Sequence, residues 1–178
     1  MAGPRNSDEE EEGRERFIVL LRHGLAEDAA EGKSDEEREL TSEGHAQMKQ
    51  IAKGLERAFP KALAIYSSPL TRANQTALWV SKGYRSRVKV TTVDALRPGG
   101  TTAELRDFVE QVQERRAIII GHEPGLSTIA MTLIGIPSGH TLELMTGGCY
   151  GVRVHGDGSA VLEWLLSPRI LLKLAEED

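Results

Sequence analysis

Residues 17–24, Phe17-Ile-Val-Leu-Leu-Arg-His-Gly24, run through five apolar residues and then stop on a cation, an imidazole and a glycine. A short unbroken apolar run fits a strand buried on both faces, as in a parallel sheet. The carboxyl ends of such strands are where open α/β sheets hold their ligands. Arg22 and His23 are therefore expected at the mouth of a site. Gly24 is expected to let the chain turn there without a Cβ clash.

Working outward, the same pattern recurs. Residues 25–39 are charged and aperiodic, so they read as a loop. Thr41 or Ser42 caps a helix whose inner face is Met48, Ile51, Ala52, Leu55 and Phe59, and Pro60 ends it. Leu63–Tyr66 is a second strand, followed by Ser67-Ser68-Pro69. Serine as cap and proline at the first helical position predict a helix beginning at once, with Leu70, Ala73, Ala77 and Val80 inward and Gly83 at its end. Val88–Val93 alternates and is β-branched, a third strand. Arg97-Pro-Gly-Gly100 is turn chemistry. Leu105, Phe108, Val109 and Val112 mark a helix, and Ala117–Ile120 a fourth strand ending in Gly121-His122-Glu123-Pro124. There again a proline stands where a helix begins, with Leu126, Ile129, Ala130 and Leu133 inward. Gly151–Val154 and Ala160–Leu166 form a hairpin around His155-Gly-Asp-Gly158, and a short helix over 168–176 follows. This alternation predicts a three-layer α/β/α sandwich with a mainly parallel sheet and a C-terminal antiparallel hairpin.

Composition bounds the rest. A chain of 178 residues can bury one sizeable core, so residues 16–178 are expected to form a single domain. Residues 1–15 contain Asp8-Glu-Glu-Glu-Glu12 and are expected to be a disordered acidic leader. The net charge of −5 argues against general nucleic-acid binding, which favours a basic face. The single cysteine, Cys149, forbids an internal disulfide and suits a reducing compartment. With no apolar run near membrane length and an acidic N-terminus, the expectation is a cytoplasmic protein without membrane attachment.

Three strand ends then carry the chemistry. The first bears Arg22 and His23, the fourth His122, and the helix after the second carries Arg72 as its fourth residue if Ser68 is the cap. Two arginines and two histidines beside helix N-termini favour an anion, a tetrahedral phosphate above all. A neutral imidazole can attack phosphorus covalently, and nearby arginines keep it neutral. Its other nitrogen would hold a proton in a hydrogen bond, most simply to a backbone carbonyl. Arginines carrying the electrostatic load make a metal or other cofactor unnecessary.

These segments resemble the histidine phosphatase superfamily, in the branch that includes phosphoglycerate mutases and acid phosphatases. The likeness rests on Arg22-His23-Gly24, Leu40-Thr41-Ser42-Glu43-Gly44, residues Ser67 through Ala77, and Gly121-His122-Glu123-Pro124, in the family's order and spacing over about residues 16–167. Within it the chain is most similar to the small SixA-type protein phosphohistidine phosphatases. The resemblance implies that His23 is the phosphorylated nucleophile and that Arg22, Arg72 and His122 bind the transferred group. Arg38 is a further candidate for phosphate contact, at a place where SixA-like sequences often carry an arginine. The implied partner is a phosphohistidine-bearing protein.

One feature departs from the mutase-type members, which place a glutamate acid in an insertion after the second helix. Here that region is short, and Asp94, Glu104 and Glu123 are the candidates for a general acid. Three other readings stay open: the same mechanism on a small phosphomonoester, a metal-dependent hydrolase using His23, His122 and Glu123, and a non-catalytic phosphate-binding module. His45 is expected to be solvated and His140 and His155 to lie in loop surroundings. Cys149 should be buried in a strand without reactivity. Trp79 and Trp164 read as core or interface anchors, and Ile170, Leu171, Leu172 and Leu174 as the docking or dimer face of the last helix.

Overall fold

Strand β1 (Arg16–Arg22) lies inside a six-stranded sheet, and Ile18 through Leu21 are fully buried. The computed structural model of the protein describes residues 15–29, 31–32, 34–84, 88–137 and 142–176. The other strands are β2 (Ala64–Ser67), β3 (Val90–Thr92), β4 (Arg116–Gly121), β5 (Cys149–Val154) and β6 (Ala160–Leu166), in the order β3-β2-β4-β1-β5-β6. Strands β3, β2, β4 and β1 run parallel, and β5 and β6 continue the sheet antiparallel. The helices are α1 (Ser42–Ala58), α2 (Thr71–Gly83), α3 (Thr102–Gln111), α4 (Gly125–Leu133) and α5 (Pro168–Glu176).

The apolar run of β1 feeds two cores at once. Val19 and Leu21 pack on one side with Met48, Ile51 and Leu55 of α1, Ala73, Ala77 and Val80 of α2, and Leu171 of α5. Ile18 and Leu20 pack on the other with Leu105 and Val109 of α3 and Leu126 and Ile129 of α4. Period-two alternation sends neighbours to opposite faces, so a strand with helices on both sides must be apolar throughout. The molecule is thus the three-layer sandwich that the sequence predicts. The edge strand β6 instead alternates half-buried with exposed, as one covered face requires.

Local chemistry sets the helix starts. The Thr41 hydroxyl accepts from the Gly44 amide at 2.9 Å and caps α1. Thr101 and Glu104 form a reciprocal capping box on α3. One expectation needs correction. Helix α2 begins at Thr71 after Leu70, so Ser68 is not its cap and Arg72 is its second residue, not its fourth. Gly24 does avoid a Cβ clash, with Met48 Cγ, which a Cβ there would meet at 2.5 Å. Strand β3 is also shorter than the alternating run that predicts it, being an edge strand with Thr91 and Thr92 exposed.

The expected leader lies outside the described residues except for Glu15, which pairs with Arg153, and His140 lies outside them too. His45 is not simply solvated, because its Nδ1 accepts from Trp79 Nε1 at 2.9 Å. Cys149 is fully buried, and burial pushes its thiol pKa up. Among the described residues, no helix is long and apolar enough to cross a membrane.

The last helix docks on α1 through its fully buried Leu171 and through a close approach at Gly54, where a Cβ would stand 1.9 Å from the Leu171 carbonyl oxygen. A backbone atom cannot rotate away as a side chain can. Gly54→Ala is therefore expected to cost about 1–3 kcal/mol by overpacking. Urea unfolding of the variant against wild type checks this; a loss under about 0.5 kcal/mol, the scale of an inert surface change, would contradict it.

Candidate active site

Parallel register brings the strand ends level. Arg22 of β1 pairs with Gly121 of β4, and Ser67 of β2 pairs with Ile120 of β4. The next residues continue the match: the His23 amide donates to the Gly121 carbonyl at 3.1 Å and the Ser68 amide to the Ile120 carbonyl at 2.9 Å. His23, Ser68 and His122 thus leave three adjacent strands at one height. The His23 and His122 rings lie 5.0 Å apart between centroids.

His23 Nδ1 lies 2.7 Å from the Gly24 carbonyl oxygen. A carbonyl only accepts, so Nδ1 carries the proton and Nε2 keeps its lone pair. This is the arrangement expected from the sequence. The Gly24 amide donates to Thr76 Oγ1 at 3.0 Å, and that hydroxyl donates to the Arg72 carbonyl at 2.7 Å. Thr76 therefore ties the end of β1 to the turn of α2 that carries Arg72.

The arginines are held from one side and open on another. Arg22 Nη1 donates to the Leu144 carbonyl and lies 3.6 Å from the exposed Glu143 carboxylate. Arg72 is buried; its Nη1 donates to the Asp35 carbonyl at 2.6 Å and its Nη2 to the Asp35 carboxylate at 2.9 Å. Arg22 Nε and Arg72 Nε are buried without any hydrogen-bond partner, and so is His122 Nδ1. Buried guanidinium donors left unpaired are costly, and two of them beside one pair of imidazoles describe a place built for an acceptor-rich ligand.

The imidazoles are neutral over a wide range. Burial first, then the fields of Arg72, Arg22 and Arg38, lower His23 to about 4 against the opposing hydrogen bond to Gly24. Burial, then His23 and both arginines, lower His122 to about 3.

Asp35 is the residue that the sequence did not single out. Its carboxylate joins Arg72 and, at 2.8 Å, Arg38 Nη1, and these hydrogen bonds hold it below its ordinary pKa. Arg38 also donates through Nε to the Glu27 carbonyl at 2.6 Å. Arg38 therefore reaches the site through Asp35. A carboxylate in an aperiodic charged loop carries no sequence signal of which cation it will meet. The segment 142–148 was missed for the same reason: it wraps the end of β1, with the Gly147 amide shared between the Arg22 and His23 carbonyls at 3.2 and 3.1 Å.

The three candidate acids lie elsewhere or are committed. Asp94 is exposed and pairs with Arg97. Glu104 closes its capping box. Glu123 accepts from Ser127 Oγ, the Ser127 amide and the Leu144 amide. Among the described residues, no group of three or more His, Cys, Asp or Glu side chains could hold a metal ion. A cavity of about 220 Å³ adjoins His122; leucines and prolines line it together with Thr101, Thr102, Thr128 and Glu123, and Arg97 is its one cation among the lining residues. That guanidinium is already paired with Asp94 and Glu36.

Comparison with known proteins finds sequences and folds similar to this chain. The sequence profile of the histidine phosphatase superfamily (branch 1) matches residues 18–98. An uncharacterised protein from Picosynechococcus sp. is 29% identical over 168 residues, covering 87% of this chain and 98% of the relative. The protein histidine phosphatase SixA, solved with tungstate, superposes with a TM-score of 0.73 at 23% identity, over 87% of this chain and 99% of its own. A mycobacterial glucosyl-3-phosphoglycerate phosphatase superposes with a TM-score of 0.70 at 17% identity, over 86% of this chain and all (100%) of its own. Both share the fold.

Two measurements test the electrostatics. Unfolded histidine titrates near 6.5, so between that pH and the lowered folded values the unfolded chain binds more protons. The stability from keeping His23 and His122 neutral is complete above about pH 6.5 and is lost as pH falls towards 4 and then 3. Urea midpoints from pH 7 to 4 are expected to drop, and a His122→Asn variant to drop less steeply. Separately, Asp35 opposes an incoming anion at Arg72. Asp35→Ala is expected to tighten inorganic phosphate about two- to fivefold by calorimetry, the scale of one exposed pair; weaker binding would mean that Asp35 chiefly positions Arg72.

Proposed function

We propose that this chain, a SixA-like protein of the histidine phosphatase superfamily, is a phosphatase that works through a phosphohistidine on His23 and acts on protein phosphohistidine. The observation that carries the reading is the set of unpartnered buried nitrogens, Arg22 Nε, Arg72 Nε and His122 Nδ1, beside a histidine whose Nδ1 is pinned by the Gly24 carbonyl.

In this reading His23 Nε2 attacks phosphorus, forming a new N–P bond as the bond to the leaving group breaks. Arg22 and Arg72 hold the equatorial oxygens, and His122 donates to one of them as charge redistributes. Water then attacks the phosphorylated His23, releasing inorganic phosphate and returning the neutral ring. The pocket needs no change in protonation of its own histidines between turnovers, because its cations and its burial keep both neutral at physiological pH.

Two features support a phosphohistidine substrate. The candidate acids are engaged elsewhere, whereas a phosphohistidine ring protonated at its far nitrogen leaves as neutral imidazole without help from the enzyme. The cavity beside His122 combines leucines and prolines with threonines and the carboxylate of Glu123, and its one lining cation is already paired, so it suits a neutral ring better than a leaving group with a second anion. A small phosphomonoester is the second reading, since the fold is shared with the glucosyl-3-phosphoglycerate phosphatase.

Rapid-quench trapping with labelled phosphohistidine protein is expected to place acid-labile, base-stable label on His23, with none in His23→Ala. Arg72→Ala is expected to slow transfer roughly a hundredfold or more, the scale of one preorganised donor. A change under about threefold would remove Arg72 from its assigned role. Faster turnover of sugar phosphates than of the phosphoprotein would replace the substrate while keeping the mechanism, and full activity in chelator is expected of a reaction that needs no metal.

A further inference from the structure

The proposed chemistry uses one nitrogen of His122, and what fixes the other is a residue with no assigned role. Ser68 is fully buried directly after β2, and its amide is locked on the Ile120 carbonyl at 2.9 Å. Its Oγ lies 2.9 Å from His122 Nε2 and accepts from the Leu70 amide at 3.3 Å.

These contacts decide where a proton sits. A serine hydroxyl has one hydrogen to give and two lone pairs. The Leu70 amide takes one lone pair. If Nε2 carried the imidazole proton, it would take the other, and the hydroxyl hydrogen would be stranded in the interior, where an unpaired donor is costly. If instead Ser68 donates to Nε2, the hydroxyl and Nε2 are both satisfied, the imidazole proton moves to Nδ1, and the one donor left unpaired stands on the ring beside His23, where an anion can accept from it. That nitrogen is the buried, unpartnered atom on the opposite side of the ring.

We infer that Ser68 is a positioning residue that sets the tautomer of His122, so that Nδ1–H rather than a bare lone pair is presented to the transferred phosphoryl group. The role of that N–H in transfer rests on the function proposed above. The tautomer itself does not. With the opposite tautomer, a nitrogen lone pair would face a phosphoryl oxygen and repel it, and one of the three donors of the pocket would be lost. The two histidines are then set by different devices to opposite ends: His23 has Nδ1–H tied to a carbonyl and Nε2 bare, while His122 has Nε2 capped by a hydroxyl and Nδ1–H free. One ring is prepared to give electrons and the other to give a hydrogen bond.

The test reads nitrogen directly. In long-range ¹H–¹⁵N spectra of the ¹⁵N-histidine-labelled full chain at pH 7, wild-type His122 is expected to show a protonated Nδ1 and a bare Nε2. Adding inorganic phosphate should perturb Nδ1. In Ser68→Ala the Nε2–H tautomer should appear, inorganic phosphate should bind about tenfold more weakly, and kcat on a phosphohistidine protein should fall about tenfold with little change in KM, the scale of one buried neutral hydrogen bond. Ser68→Cys, a weaker donor of similar size, should fall between the two. A wild-type His122 protonated at Nε2 overturns the inference without any variant, and so does an unchanged tautomer in a folded Ser68→Ala. A wild-type chain that turns over no phosphorylated substrate would sink the proposed function, while the nitrogen spectrum would still decide the assignment of Ser68.

Discussion

Guanidinium groups taken out of water need acceptors, and the site of this protein is organised around two that are only partly supplied. Arg72 is buried, and its two terminal nitrogens are both taken by Asp35. Arg22 leans on the Leu144 carbonyl and touches an exposed carboxylate. These contacts satisfy the outer donors and orient the forks, leaving the Nε donors buried and unpaired. A fully paired arginine would have little affinity left for a ligand, and a wholly unpaired one would not stay buried. The pocket sits between these limits. Its remaining deficit is what an anion can fill.

Burial first, and then the same cations, govern the histidines. An imidazolium beside two guanidinium groups would add like charge in a desolvated place, so both rings stay neutral far below the usual histidine range. A neutral ring has one donor and one acceptor, and its chemistry depends on which nitrogen is which. The sheet register resolves this. It brings the chain ends of β1, β2 and β4 to one level, so that a carbonyl meets one ring and a serine hydroxyl the other.

Much of this was legible in the letters. Apolar runs such as 17–21 and 117–120 can only be strands covered on both faces, and alternation of strand and helix then dictates a parallel sheet with its chemistry at one edge. Thr41 capped its helix because a cap acts within one turn. The misreadings have one cause. Ser68 resembled a cap because Ser-Pro is a local helix signal, but β2 continues through Ser67 and its pairing with β4 delivers Ser68 to His122, 54 residues away. The start of α2 shifts with it, and Arg72 becomes its second residue. Asp35, Thr76 and the wrap of 142–148 are likewise long-range contacts, set by the packed sheet and not by neighbouring residues.

The dispersal of carboxylates bears on what can leave the site. Cleaving an alkoxide from phosphorus calls for a proton at the departing oxygen, and a mutase-type glutamate would supply it. Here Glu104 is spent on a helix cap, Asp94 on Arg97, and Glu123 on holding Ser127 and the amide of Leu144, the residue whose carbonyl receives Arg22. Glu123 thus acts on the pocket at one remove, by fixing the loop that orients an arginine. A pocket with strong oxyanion donors and no spare acid suits a leaving group that needs no proton delivered to its departing atom. A phosphohistidine ring protonated at its far nitrogen meets that condition, and in the reaction proposed above its departure is the reverse of the attack by His23. On that proposal the substrate and the nucleophile are chemically the same group, and transfer between them is close to balanced before water completes it.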